Sequence, residues 1–365
     1  VAAKYSYVAT DLLTGRVLGE VPLHGVTIDR QLNKTGNWQG SANLDSEIIT
    51  NEDLLECTQP GRTGMYVYRE DQIVWGGIVW SRTYQSQAKA LQMTGQTFES
   101  YAYRRIYRPT TTIKYNKAQC AIINDLWKDL QNNIDSGIGV EEASLPSGDV
   151  VRELTVNPWD FKSYGEHIDD PLLNFDDSPE YTIECYEENG VPRKRLVLGY
   201  PRIGTPAAFT DLVVDYPGNI LNYWWSESAS RAANAVWATG DGDEGAMRVG
   251  YAALPTYSGY PLMEVHTSHQ GVTRPETITA HAVKDLANAP LPKHNKTIQI
   301  KADEQPEFGT YSLGDDAKLQ IVDTRFPEGV DTVIRVVGWN ITPSSSDAVE
   351  EILLVIEGSE DGADV

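Results

Sequence analysis

The chain is poor in the residues that usually carry chemistry. Its 365 residues include three cysteines, six histidines and four methionines. Cys57, Cys120 and Cys185 are odd in number and far apart, so neither a disulfide framework nor a zinc-ligand spacing follows from them. Reduced, partly buried thiols are expected, compatible with folding in a cytoplasm. No apolar run approaches the roughly 18 residues that a membrane-spanning helix needs, and no secretory leader is expected. Basic charge is scarce too: 30 Lys and Arg face 52 Asp and Glu, a formal net charge of −22. Such a surface repels nucleic acid and anionic lipid, which argues against a DNA-binding protein but suits a wall past which DNA slides without sticking. The GxSxG, P-loop, GxGxxG and HExxH patterns are missing.

Turn formers and aromatics are abundant. Nineteen tyrosines, nine tryptophans, 30 glycines and 19 prolines point to a β-rich protein with many turns. The length allows two or three domains with sizeable cores. The organising stretch runs from Arg62 to Arg104. Met65–Arg69, Gln72–Trp80 and Lys89–Thr94 read as three consecutive strands, with Glu70–Asp71 as the first turn. The middle strand is apolar on both faces (Ile73, Trp75 and Val79 against Val74, Ile78 and Trp80), as in a strand covered on two sides. Gly76 and Gly77 interrupt it and are expected to mark a bulge or bend that curves a barrel, with Trp75 and Trp80 packing against it.

Upstream, Tyr5–Ala9 and Val17–Val21 form a hairpin around Thr14–Gly15. Val26, Ile28 and Leu32 then alternate with Thr27, Asp29 and Gln31, and after the turn at Lys34–Gly36, Trp38, Gly40, Ala42 and Leu44 alternate with Gln39, Ser41 and Asn43. That pattern is an antiparallel pair with one buried and one wet face. Downstream of Tyr107, Asn116 and Gln119 stand where a capping box would precede a helix carrying Ala118, Ile122, Leu126, Ile123, Trp127 and Leu130. Residues 134–158 read as loop, and Phe161–Leu173 as a short helix. Asn189–Gly190 joins a further hairpin, Tyr181–Tyr186 with Arg195–Tyr200. Strand texture returns at Leu212–Tyr216, Ile220–Trp225 and Ala232–Thr239. Thr273, Pro275 and Glu276 open a helix lined by Ile278, Ala282 and Leu286. Four more strands follow at Thr297–Lys301, Lys318–Val322, Val333–Ile341 and Glu351–Glu357. The fold class is therefore mainly β with an α+β insert. Residues 1–110 form a first β-barrel, completed by about 201–225. Residues 111–200 are the insert, 226–358 a second β-barrel with one helix, and 359–365 an acidic tail.

Local constellations offer little chemistry. GDGDEG (240–245) spaces two aspartates like early calcium ligands but lacks the later oxygen ligands and the glutamate at the twelfth position, so a solvated hairpin loop outweighs a cation site. His266 and His269 lie three apart without the glutamate of a zincin. Asp169–Asp170 and Asp176–Asp177 are acid pairs of the kind that 52 acids produce by chance, so glycosidase chemistry is possible but unsupported. Trp224–Trp225 and the tyrosines could form a sugar platform, though core or subunit interface is the commoner role. No catalytic, cofactor-binding or metal-binding residue is assigned.

Residues 7–44 (YVATDLLTGRVLGEVPLHGVTIDRQLNKTGNWQGSANL), 56–82 (ECTQPGRTGMYVYREDQIVWGGIVWSR) and 98–105 (FESYAYRR) resemble the minor tail proteins of long, non-contractile-tailed phages of actinobacteria, over about a third of the chain. More loosely, ANAVWATGDGDE (233–244), the helix at Thr277–Ala287 and PEFGTYSLGDDAKLQI (306–321) resemble the second tube-like domain of tail hub proteins, and 111–200 falls where such hubs carry an inserted domain. The resemblance implies a non-enzymatic virion protein of the siphovirus tail tip, made in the host cytoplasm. It implies two tube-like β-barrels per chain and a homotrimeric, pseudo-hexameric ring. That ring joins the tail tube or distal tail protein to the tape measure protein and other minor tail proteins. Genomic DNA passes through it without specific binding. It implies no cofactor, and the chain leaves no room for a C-terminal enzymatic extension. The alternatives are a glycan-binding or glycan-hydrolysing tip protein and a hexameric distal tail protein.

Overall fold

The computed structural model describes residues 3–45, 48–173, 175, 177–229, 232–242, 244–254, 259–289, 293–343 and 350–358. The acidic tail 359–365 lies outside them, as do Asp243 of the GDGDEG loop and Asp176.

The N-terminal strands follow their sequence pattern closely. β1 (Tyr5–Asp11) and β2 (Val17–Glu20) form the expected hairpin, whose turn is held by Asp11 Oδ1 accepting from the Thr14 amide at 2.9 Å and by Gly15 at a φ of 69°. β3 (His24–Gln31) and β4 (Asn37–Asn43) pair antiparallel and bury Val26, Ile28, Trp38 and Ala42. A helix that the pattern did not announce, α1 (Asn51–Cys57), begins at Thr50, whose hydroxyl accepts from the Asp53 amide at 3.1 Å. β5 (Thr63–Arg69), β6 (Gln72–Gln85) and β7 (Ala90–Thr97) form the meander read from the sequence. Every residue of β5 is buried, as is Val74–Val79 of β6, so both faces are covered.

The glycine pair does something other than bulge. The extra residues in the β6 ladders are Val74, skipped between Ile73 and Trp75 opposite β5, and Trp80, skipped between Val79 and Ser81 opposite β7. Gly76 and Gly77 keep regular register. A Cβ at Gly76 would stand 2.5 Å from Cys185 Sγ, and one at Gly77 would stand 2.3 Å from the Gln96 carbonyl oxygen. Close approach, with bulges on either side, is the reason for glycine here.

The insert contains more strand than expected. β8 (Ile113–Ala118) leads into α2 (Gln119–Gln131), and the stretch read as loop holds β9 (Val140–Glu141) and β10 (Val151–Val156), the latter antiparallel to β8. Asn116 therefore lies in a strand. The start of α2 is capped instead by Asp149, whose Oδ2 accepts from the Cys120 amide at 2.6 Å. A local capping box does open α3 (Tyr164–Leu172): the Ser163 amide donates to Glu166 at 2.7 Å, and the Glu166 amide donates back to Ser163 Oγ at 3.2 Å. β11 (Glu180–Glu188) and β12 (Val191–Gly199) turn at Asn189–Gly190, both at positive φ.

Then come β13 (Val213–Tyr216), β14 (Ile220–Ser228), β15 (Ala235–Thr239), β16 (Val249–Ala253), β17 (Glu264–Ser268), α4 (Pro275–Ala287), β18 (Lys293–Lys301), β19 (Asp316–Ile321), β20 (Val330–Ile341) and β21 (Glu351–Gly358). The chain divides into two compact units. The larger comprises Val1–Asp169, Pro179–Tyr223 and Thr297–Val365; the smaller comprises Asp170–Ser178 and Trp224–Lys296. The stretch 226–358 is thus shared between them.

A thirteen-stranded sheet dominates the larger unit, in the order β14-β18-β21-β20-β3-β4-β7-β6-β5-β1-β2, with β13 and β19 branching beside β20. Its two halves, one N-terminal and one C-terminal in sequence, meet where β3 pairs with β20: Ile28 opposite Ile341, Asp29 opposite Asn340, Gln31 opposite Gly338. Trp38 and Trp75 stack beneath the first half at 6.3 Å, and Phe308 and Trp339 meet edge to face at 5.1 Å in the second.

Buried and half-buried ions fasten these parts. Arg69 of β5 donates to Glu350 at 2.9 Å and to the carbonyls of Phe308 and Ala302, and the Tyr5 hydroxyl also donates to Glu350. Arg335 of β20 grips Glu180 of β11 with both terminal nitrogens at 2.6 and 2.5 Å and reaches the Ile203 and Gly314 carbonyls. Arg30 reaches Thr182 and the Ile183 carbonyl, while Glu99 accepts from the Ile183 amide at 2.7 Å. Lys194 of β12 is different. It is buried with Nζ 3.2 Å from the Tyr66 hydroxyl and 4.6 Å above the Phe98 ring, and burial pushes its amine down to about 8.

In the smaller unit β15 lies between β16, antiparallel, and β17, parallel. Val236 and Ala238 of β15 pack with Ile278, Ala282 and Leu286 of α4. Pro275 occupies the first helical turn as its fixed φ favours, but the residue before it, Arg274, is the N-cap and makes no side-chain cap, so the Thr273–Glu276 box does not form.

Candidate assembly surfaces

The residues that sequence reading singled out for chemistry do not converge. Asp241 of the GDGDEG loop accepts from the Gly271 amide at 2.7 Å and so ties that loop to the turn before α4. His266 meets Thr239 Oγ1 at 2.9 Å, whereas His269 pairs with Asp285 at 2.8 Å and stacks on His281. Asp169 accepts from the Tyr103 hydroxyl at 2.7 Å. Among the described residues no group of three or more His, Cys, Asp or Glu is arranged to hold a metal ion. All three cysteines are free and buried, and burial pushes the Cys185 thiol up to about 12, far from a reactive thiolate. Among the described residues no helix is long and apolar enough to cross a membrane.

What the structure assembles instead is a surface. Ladder partners across an antiparallel sheet point to the same face. One row runs Gln299, Leu353, Asn340, Asp29, Asn37, Gln96 across six strands and through the β3–β20 joint. The next runs Thr27, Gln39, Thr94, Ser81, and a third His24, Ser41, Gln92, Thr83. Gln39, Thr94, Gln92 and Asn340 are exposed. Part of this face forms a shallow groove of about 450 Å³ between Thr27 and Gln96.

Among the residues of those rows Asp29 is the one carboxylate, and the Asn37 backbone and side-chain amides both donate to it, at 3.0 and 3.3 Å. In the whole chain 22% of residues are charged. Within these rows neutral hydrogen-bonding groups predominate, Leu353 being apolar, and Lys301 and Glu351 form the next pair along β18 and β21. The alternation in β3 and β4 announced the wet face. Its continuation onto Asn340 and Gln299 was hidden, because nothing local specifies a pairing between strands some 300 residues apart.

No protein-family model matches the sequence, and no curated protein does. Solved structures do match. A tail protein from Neisseria meningitidis MC58 superposes with a TM-score of 0.61 at 13% identity, covering 96% of this chain and 96% of that one. The 43 kDa tail protein of prophage MuSo2 from Shewanella oneidensis gives 0.61 at 10% identity, covering 97% and 98%. The fold is that of phage tail hub proteins. An Escherichia coli type VI secretion component, described as similar to the T4 tail proteins gp27 and gp5, also matches, with a TM-score of 0.50 at 9% identity over 93% of this chain and 75% of that one. The architecture is accordingly mainly β, as in those tail proteins, with the large sheet built from an N-terminal and a C-terminal half and with an α+β insert.

Proposed function

We propose that this chain is a structural protein of a phage tail tip. It is the hub of a baseplate, three copies of which close into a pseudo-hexameric ring between the tail tube or distal tail protein above and tip proteins below. The observation that carries this reading is the set of mainly neutral polar rows that crosses the joint between the two halves of the large sheet, interrupted by Leu353 and bordered on β18 and β21 by Lys301 and Glu351. A wall for passing DNA must offer neither cationic grip on phosphates nor apolar grip on bases. Amides and hydroxyls that already bond to one another, as Gln96, Asn37 and Asp29 do, meet that need. The net charge of −22 adds general repulsion. At the ends of the sheet path, β2 and β14 each have one ladder partner among the described residues, and such edges can pair with a neighbouring copy.

The assembly itself is the activity in this reading, with no reaction and no cofactor. The tape measure protein and other minor tail proteins are the expected partners, and the actinobacterial, non-contractile setting rests on the resemblance of residues 7–44, 56–82 and 98–105. Native mass of the purified chain tests the proposal. Three times 40.5 kDa is expected. Six copies would favour the distal tail ring instead, and a monomer at all concentrations would overturn the ring.

A further inference from the structure

The smaller unit carries a surface that the ring does not need. On the face of its sheet opposite α4, His266 of β17, Trp237 of β15 and Tyr251 of β16 are direct register partners, making a row of three rings across three strands. Trp237 is 43% exposed and Tyr251 45%. Their ring centroids are 4.4 Å apart at 44°, so the rings touch at a tilt while each keeps more than two fifths of its surface exposed.

The row is pre-oriented by polar partners. Trp237 Nε1 donates to Glu264 Oε1 at 2.8 Å, and Thr239 Oγ1 lies 2.9 Å from His266 Nε2. Burying an aromatic pair as core would cover its faces. Here α4 packs on Val236 and Ala238, the other side of the same strand.

We propose that this row is a saccharide-binding platform. With strands about 4.8 Å apart it spans about 10 Å, the length of two linked pyranose rings. The apolar C–H face of a pyranose stacks on an exposed indole or phenol, and its rim of hydroxyls needs nearby acceptors and donors. Glu264 uses Oε1 for the indole, which leaves Oε2 to accept from a sugar hydroxyl.

A protein partner fits less well. Two rings less than half exposed and an imidazole offer on the order of 300 Å², against about 800 Å² per side in a stable protein interface. The inference does not depend on the ring proposal, because a monomer would carry the same platform.

The test uses the full-length protein titrated with chitotetraose and with maltotetraose, followed by calorimetry and tryptophan fluorescence. Saturable binding with a Kd on the order of 1 mM is expected for at least one of them. Trp237→Ala should weaken it about tenfold or more and Glu264→Gln about threefold, while Trp159→Ala, at an exposed indole of the larger unit, should leave it unchanged. Glu264→Gln keeps the side-chain shape and decides the matter if Trp237→Ala fails to fold. The proposal is overturned by no saturable binding of either sugar at about 20 mM, well above that Kd. Equal binding by both variants, or a concentration-dependent mass that Trp237→Ala abolishes, which would mark the row as a contact between copies, would also overturn it.

Discussion

The two units solve the problem of a half-covered sheet in opposite ways. In the larger unit long-range pairs, Arg69 with Glu350 and Arg335 with Glu180, tie distant parts of the chain together, and the open rows are mainly neutral groups, some of them hydrogen-bonded to one another. In the smaller unit one helix covers one face with a thin core, and the other face displays large rings. On the two proposals, a surface to be passed and a surface to be occupied differ in this way: the first spends polar groups on one another, and the second leaves ring surface exposed.

The comparison can be broken by substitution. The largest effect is expected at Trp75→Ala, because this side chain is fully buried, stacks on Trp38 and donates to the Asp29 carbonyl at 3.0 Å. A loss of about 4–5 kcal/mol should appear as a lower denaturant midpoint for the larger unit. Ile278→Ala should cost about 2–4 kcal/mol but only in the smaller unit. Hydrogen exchange should then accelerate in β15 and α4 and not in β5 or β6, and a uniform acceleration would mean that the units unfold as one. Glu350→Gln leaves the buried Arg69 guanidinium with Glu307 at 3.6 Å and two carbonyls but without its charged partner at 2.9 Å, and should cost about 1–3 kcal/mol in the denaturant assay of the larger unit.

An effect of opposite sign is expected at Lys194→Met. The Lys194 amine sits at about 8 in the folded chain and 10.5 in an exposed one. Between those values the unfolded chain binds more protons. The wild type therefore carries a penalty that is complete below pH 8 and is relieved as pH rises towards 10. At pH 7 the variant should be more stable by about 1–3 kcal/mol, since the lost contacts to Tyr66 and Phe98 offset part of the relief. The gap should narrow by pH 10, and a gap independent of pH would refute the account. Gln39→Lys, the mildest change, should leave stability within about 0.5 kcal/mol. Its readout is DNA retention by assembled particles, which a cation among the mainly neutral rows should increase.

Much of this was legible in sequence because short-range rules decide it. The alternation in β3 and β4, the buried β6, the turns at Gly15 and Asn189–Gly190 and the apolar stripe of α2 each follow from a local period or a backbone requirement. The misses share a cause as well. Asp149 capping α2, β10 completing β8, the bulges at Val74 and Trp80, and the Arg69–Glu350 pair are all set by a partner elsewhere in the chain. The row His266–Trp237–Tyr251 was invisible for the same reason, since it exists only once β17 lies parallel to β15. Trp224–Trp225, the aromatic pair that sequence did single out, begins β14's passage into the smaller unit, where Trp224 is exposed.

Cryo-microscopy of the assembled ring tests the central claim most directly, because it reads copy number and facing together. The account predicts three chains around a channel whose inner wall carries Asn37, Gln39, Thr94 and Asn340. A closed assembly with those residues on its outer surface, or a chain that never assembles, would contradict it.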